Sequence, residues 1–331
     1  MEVAVDIPLN SAQQRFVIDE GSKVGEARRA AHALANFEFT EEVAGKVAIV
    51  ATELANNLLR HAGGGELLIQ TLGANETATL ELLALDKGPG MSEIGLCMRD
   101  GYSTGGTPGT GLGAVRRLSA EFDIHSRSGE GTVVLARFGH VPTRRYGAVN
   151  IPLEGEIECG DAWHLEEVPG GFAAMVVDGL GHGTFAAEAA RAGIEAFRAA
   201  PDSAPQEVIT RAHGIMSKTR GGAAACARFT DGALSYAGVG NISGCLVWPG
   251  KSQGLVSHNG TLGMGLRKSQ QFEYRAEPGA LLVLHSDGVS ARWDLKNRVD
   301  LLNCHPAIVA GLLYRDHMRG RDDATVLVVA T

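Results

Sequence analysis

The sequence predicts an α+β chain of two domains, and three observations carry that expectation. Its 331 residues exceed what one compact domain usually holds and suit two. A long amphipathic helical pattern dominates the first part, whereas short apolar runs bounded by Gly, Asp or Pro dominate the second. Between them, residues 140–150 carry Pro142 and the cluster Arg144-Arg145-Tyr146 with no hydrophobic period. The expected division is therefore a domain over 1–139, a linker over 140–150 and a second domain over 151–331.

The first part reads strand, helix, helix, hairpin, Gly-rich loop, helix, strand. Val43, Val47, Val50, Leu54 and Leu58 recur at helical spacing and define one helix from about Thr40 to His61. Thr40 before Glu41 and Glu42 is its expected N-cap, and Gly63-Gly64-Gly65 ends it. Strands follow over Glu66–Leu72 and Ala78–Leu85, joined by Gly73-Ala74-Asn75. A further helix is expected over Leu112–Phe122 and a strand over Gly131–Phe138. In the second part, Gly171–Val177, Ala223–Phe229, Ala233–Ala237, Ala280–His285 and Ala324–Ala330 read as strands. Thr184–Ala199 and Pro205–Lys218 are long enough for helices, so sheets covered by helices are expected.

Composition narrows the function. Hydrophobic residues make up 44% and charged residues 21%, which is ordinary for globular domains. A net charge of −8 argues against nucleic acid, whose phosphates need a basic footprint. No apolar run is long enough to cross a bilayer, and MEVAVDIPLN lacks the basic and apolar regions of a secretory signal, so a cytoplasmic setting is expected. The five cysteines, Cys97, Cys159, Cys226, Cys245 and Cys304, form no C-x-x-C pair, which favours free thiols over zinc or disulfides.

Two constellations carry chemistry. In the first, Glu53 and Asn57 lie four residues apart on the long helix and share a face. A strand then ends in Asp86-Lys87-Gly88-Pro89-Gly90. The stretch from Asp100 to Gly113 follows, rich in glycine and opening into a helix, where free N–H groups and the positive dipole end suit a polyphosphate. No G-x-x-x-x-G-K-[ST] pattern occurs, which excludes a P-loop. In this order the pieces resemble the GHKL ATPase family, with its Bergerat ATP-binding α/β sandwich, and within it the RsbT-type switch kinases. The resemblance covers most of 1–139. It implies ATP and Mg²⁺ as cofactors, Glu53 as the base for a substrate hydroxyl, Asn57 as a Mg²⁺ ligand and Asp86 as the reader of the adenine amino group. It further implies that Gly88, Gly90, Ser103, Thr104, Gly109, Gly111 and Gly113 wrap the phosphates.

In the second constellation, aspartates punctuate apolar strands: Gly160-Asp161, Asp178-Gly179-Leu180-Gly181-His182-Gly183, Ser286-Asp287-Gly288 and Asp322-Asp323-Ala324-Thr325. Any single Asp-Gly pair is an ordinary turn. If the last strand runs antiparallel to those ending in Asp178 and Asp287, three carboxylates reach one sheet edge, and converging carboxylates call for hard divalent cations. No G-x-S-x-G elbow is present, which disfavours serine-based hydrolysis. The pattern resembles the PP2C phosphatase superfamily in its SpoIIE-like and RsbX-like branch, from about Ile151 onward, and implies an α-β-β-α sandwich. The resemblance implies a two-metal hydrolysis with Mn²⁺ or Mg²⁺, in which Asp178 bridges the ions. Asp161, Gly179, Asp287 and Asp322 would complete the ligand set. His182 is either a proton donor or a turn residue, and Asp323 either a third-metal ligand or surface charge.

Together these readings predict a bifunctional switch enzyme that dephosphorylates phosphoserine or phosphothreonine on a STAS-domain partner of the anti-anti-sigma or stressosome type, and phosphorylates a partner through its ATP-binding half. The alternative is a phosphatase whose first half only captures a partner under ATP control.

Overall fold

The computed structural model describes residues 13–73, 75–97, 111–266, 268–277 and 279–331, with residues 96 and 97 traced by backbone alone. It divides into two units, Met1–Thr143 and Arg144–Thr331.

The first unit holds β1 (Gln14–Ile18), α1 (Gly21–Glu38), α2 (Glu41–His61), β2 (Gly65–Leu72), β3 (Thr79–Leu85), the short α3 (Ile94–Cys97), α4 (Gly111–Leu118), β4 (Glu121–Arg127) and β5 (Gly131–Gly139). Its sheet runs β1-β2-β3-β5-β4, with every neighbouring pair antiparallel. Helix α1 buries Ala27, Ala31 and Ala35, small residues at four-residue spacing that let it lie close to α2. Helix α2 buries Val47, Val50, Leu54 and Leu58 along one stripe, and these meet Leu67, Ile69, Leu82 and Ala136 of the sheet in one core. Thr40 Oγ1 accepts from Val43 N–H at 3.5 Å, Glu41 and Glu42 sit in the first turn, and Arg60 and His61 in the last, all favourable to the helix dipole.

On the opposite face of the sheet, Gln70, Glu81, Arg137 and Glu121 are successive cross-strand neighbours. Gln70 Nε2 donates to Glu81 Oε1 at 2.7 Å, and Arg137 donates to Glu81 Oε2 at 2.8 Å and to Glu121 Oε2 at 3.0 Å. Arg137 and Glu81 are each 1% exposed, so each charge depends on the other for the solvation it has lost.

The second unit contains β6 (Tyr146–Ile151), β7 (Asp161–Val168), β8 (Gly171–Gly179), α5 (Thr184–Arg198), α6 (Pro205–Met216), β9 (Gly222–Thr230), β10 (Ala233–Val239), β11 (Ser243–Trp248) and β12 (Lys251–Leu255). It continues with β13 (Ser257–His258), β14 (Phe272–Arg275), β15 (Leu281–His285), α7 (Val299–Leu302), α8 (Pro306–His317) and β16 (Ala324–Ala330). One sheet has the order β13-β10-β9-β8-β7, with β14 also on β10, and the other β12-β11-β15-β16-β6. Helices α5 and α6 pack on the first and α8 on the second, while β16 and β6 meet β7 across the interior. This is the α-β-β-α sandwich.

Three expectations change. Tyr146–Ile151, placed by sequence mostly within the linker 140–150, form β6 and pair with β16 from Tyr146↔Val329 to Ile151↔Ala324. Gly147 and Asn150 interrupt the apolar run, and its partner strand is far away in the chain, so nothing local marks it. The helix expected over Leu112–Phe122 stops at Leu118, because Phe122 and Ile124 are needed by the sheet, where they pair with Ala136 and Val134. Finally, the acidic motifs do not share one sheet: β15 and β16 are antiparallel neighbours, whereas β8 belongs to the facing sheet.

Candidate functional site

The first site lies where α2, β3 and α4 converge. Glu53 and Asn57 are half-buried on the same face of α2. The first residue of α4 meets both, since a Cβ on Gly111 would stand 3.2 Å from Glu53 Oε2 and 3.6 Å from Asn57 Oδ1. Asp86 follows β3, and its Oδ1 accepts from Gly88 N–H at 2.8 Å and Thr132 N–H at 3.1 Å, which fixes the carboxylate at the mouth of the turn. Gly88 packs on the end of α2, where a Cβ would come 2.6 Å from Ala62 Cα. Gly90 has φ +66°, and a side chain there would strike Arg127 O. Gly113 is buried within α4, which packs against α2. Of the expected nucleotide-binding residues, Ser103, Thr104 and Gly109 lie outside the described residues; the others gather at this site. Sequence reasoning missed Thr132, whose only signal is a return strand more than forty residues beyond Asp86.

The second site is built from both sheets of the second unit. Asp161 opens β7 and Asp178 closes β8, and the two face each other as register partners. From the other sheet come Asp287, just past β15, and Asp322 and Asp323, just before β16. Burial is the largest influence on Asp178 and pushes its pKa up; Asp161, Asp287, Asp322 and Asp323, in that order, push it further. Burial likewise raises Asp161, with Asp323 and Asp322 adding to the rise and the Ser286 and Thr325 hydroxyls opposing it. Asp322 and Asp323 are also raised, mainly by burial. The five residues expected as a metal site thus lie in one neighbourhood: Asp161, Asp178 and Gly179 at the facing ends of β7 and β8, and Asp287 and Asp322 close enough to act electrostatically on Asp178.

Supporting groups hold the carboxylates. Asn150 Nδ2 donates to Thr325 Oγ1 at 2.7 Å and to Asp161 O at 3.2 Å, tying β6, β16 and β7 together. Asn241 Nδ2 donates to Asp287 Oδ2 at 2.7 Å. Asp323 is buried rather than a surface charge, and its Oδ1 accepts from Leu153 N–H at 2.8 Å. His182 Nδ1 pairs with Glu156 Oε1 at 2.6 Å, close enough to Asp322 and Asp323 to counter their raised pKa values. None of Asn150, Asn241 or Glu156 was expected from sequence, because each acts on a residue distant in the chain.

The donor set suits a hard divalent cation. It is made of oxygen alone, its carboxylates crowd and repel, and Asp161 Oδ2 and Asp323 Oδ2 are buried with no hydrogen-bond partner among the described residues. Also among the described residues, no three His, Cys, Asp or Glu side chains close around a single point. A cation here would take few side-chain oxygens and complete its shell with carbonyl or water oxygens.

The two parts of the chain match two different protein families. Residues 169–331 match the family described as Stage II sporulation protein E (SpoIIE), and residues 19–138 match the histidine kinase-like ATPase domain. The chain is 38% identical over 91 residues to the serine/threonine-protein kinase RsbT of Bacillus subtilis (strain 168), covering 28% of this chain and 68% of RsbT. It is 26% identical over 154 residues to the phosphoserine phosphatase RsbX of the same organism, covering 46% of this chain and 76% of RsbX. A crystal structure of RsbX in complex with magnesium shares the fold, with a TM-score of 0.51 at 20% identity over 64% of this chain and all of that one. A structure from work on the bacterial stressosome, as a modular system adapted to control secondary messenger signaling, gives a TM-score of 0.52 at 26% identity. It covers 57% of this chain and all of that one.

Proposed function

Because the chain belongs to the RsbT-type histidine kinase-like ATPases through its first unit and carries a PP2C-type serine/threonine phosphatase domain of the SpoIIE family in its second, we propose that it is a two-activity signalling switch. In this reading the second unit hydrolyses phosphoserine or phosphothreonine on a STAS-domain regulatory protein. The first binds ATP with Mg²⁺ and phosphorylates a serine or threonine of a partner. The observation that carries the reading is the approach of Asp161, Asp178, Asp287, Asp322 and Asp323, from two sheets, into one partly buried, self-repelling cluster.

Bound Mn²⁺ or Mg²⁺ would neutralise that cluster, polarise the ester phosphate and supply an activated water. Asp178 would be the shared ligand, reaching from one sheet toward Asp287 and Asp322 on the other, with the Gly179 carbonyl as a further donor. Asp161, whose carboxyl the Ser286 and Thr325 hydroxyls stabilise in its charged form, would help complete the ligand set. The Glu156 carboxylate, 2.6 Å from His182 Nδ1, would orient the imidazole so that its other nitrogen faces the departing serine oxygen. In the first unit, Glu53 would take the proton from the attacking hydroxyl while Asn57 holds Mg²⁺ against the phosphates and Asp86 reads the adenine amino group. Gly88, Gly90, Gly111 and Gly113 would let the backbone approach the nucleotide, with Ser103, Thr104 and Gly109 completing the phosphate loop.

The test uses the full chain with Mn²⁺ and a phosphoserine STAS-domain protein, and then ATP with the unmodified protein. Dephosphorylation that persists in Glu53→Gln and stops in Asp178→Asn is the expected result. Turnover unaffected by Asp178→Asn sinks the phosphatase assignment. Binding of ATP without any transfer to protein leaves the first unit a nucleotide-controlled capture module.

A further inference from the structure

The loop that leaves β8 and the first turn of α5 do more than carry Asp178. Leu180 is 50% exposed and Phe185 62% exposed, and both project from the segment that joins the acidic cluster to α5. Leu180 N–H donates to Gly221 O at 2.9 Å, which holds this loop against the start of β9. Met264, 66% exposed, comes to the same place, with its Cγ 3.5 Å from where a Cβ on Gly221 would stand. Arg220 completes the patch, its guanidinium carbon lying 4.9 Å from the centre of the Phe185 ring and Nη1 3.3 Å from a Cβ position on Gly181. Among the described residues Arg220 stacks on the Phe185 ring and has no carboxylate partner, although the chain carries a net charge of −8.

Three large apolar side chains beside one unneutralised arginine make a costly surface to leave in water, and such patches mark sites of association. Its composition, apolar and aromatic with an Arg, is that of an interface centre. It adjoins the acidic cluster along the chain, since Asp178 and Leu180 are two residues apart.

We propose that Leu180, Phe185, Arg220 and Met264 form the docking surface for the protein substrate of the phosphatase unit. Resting on the phosphatase reading above, this inference assigns the substrate chemistry: a phosphoserine flanked by an apolar side chain, which lies on Phe185, Leu180 and Met264, and by an acidic side chain, which pairs with Arg220. The surface discriminates among protein substrates and contributes nothing to hydrolysis of a small ester that cannot reach it.

The probes are two fluorescein-labelled phosphoserine peptides, one with Leu and Glu flanks and one with Ala flanks. Binding is read by anisotropy on the full chain with Mn²⁺, and p-nitrophenyl phosphate hydrolysis is measured alongside. The wild type should bind the Leu/Glu peptide about tenfold more tightly. Phe185→Ala and Arg220→Ala should each erase that preference and leave p-nitrophenyl phosphate turnover intact; Arg220→Lys should restore part of it. Equal binding of the two peptides, or a preference that survives both alanine variants, overturns the proposal. A wild type that prefers the Leu/Glu peptide but hydrolyses no ester breaks the phosphatase reading and leaves the docking surface standing.

Discussion

Glu53 and Asn57 sit one helical turn apart on α2, so local geometry alone brings them together. Asp178 and Asp322 meet only because one sheet stacks on another. The difference extends to electrostatics. In the first site Glu53 and Asn57 are half-buried and share a helix face, whereas the second brings five aspartates near one another, and burial with mutual repulsion raises the pKa values of four. A site of the first kind can exist without its ligand at little cost to the fold. One of the second kind stores free energy that a cation releases, and catalysis and stability are coupled there.

The largest effect should come from charge burial in the first unit that has nothing to do with its site. Glu81→Ala removes the buried carboxylate that pairs with Arg137, and should destabilise that unit by about 3–5 kcal/mol. Urea unfolding followed by tryptophan-independent far-UV signals should show one early transition with the phosphatase unit's midpoint unmoved. Next, Asp178→Asn should lower hydrolysis of p-nitrophenyl phosphate more than about a hundredfold. In EDTA the same variant should melt higher than wild type, because one member of the repelling cluster is gone.

The pH dependence sharpens the contrast. Asp178 and Asp161 have folded-state pKa values above their unfolded ones, so protonation favours the folded form. That contribution is complete below the ordinary aspartate value of about 4 and is lost as pH rises through the folded values. In EDTA the second unit's melting temperature should therefore fall as pH rises from about 4 to about 9, most steeply below about 7, and the stabilisation added by Mn²⁺ should grow over the same interval. A metal effect that shrinks with rising pH would contradict the coupling. At the small end, Asn150→Ala should cost about 1 kcal/mol through its lost bonds to Thr325 and Asp161. Glu53→Gln should change stability by less than about 0.5 kcal/mol.

The same contrast explains what could be read from sequence. The nucleotide residues on α2 were legible because helical spacing is itself a statement about geometry. The aspartates were legible as a set, since Asp-Gly at the ends of apolar runs announces strand ends, but their distribution over two sheets was not. Strand periodicity says which face a residue takes and is silent on which sheet it joins. Tyr146–Ile151 escaped for a related reason: a six-residue strand with a glycine and an asparagine has no signature until Val326 and Val328 supply its partner. The groups that hold the acidic residues in place, Asn150, Asn241 and Glu156, carry no motif because an amide or a carboxylate can support any polar neighbour.

Strand β16 lies between β15 and β6, and the residues immediately before it supply two members of the acidic cluster. During vectorial synthesis β6 emerges from the ribosome long before the strand that it pairs with. It must wait, with an unsatisfied edge, while nearly the whole second unit is translated, which at about 5–20 residues per second lasts on the order of ten seconds or more. The acidic cluster is thus incomplete until β16 pairs with β6, whereas the sheet of the first unit has all its strands once β5 is made.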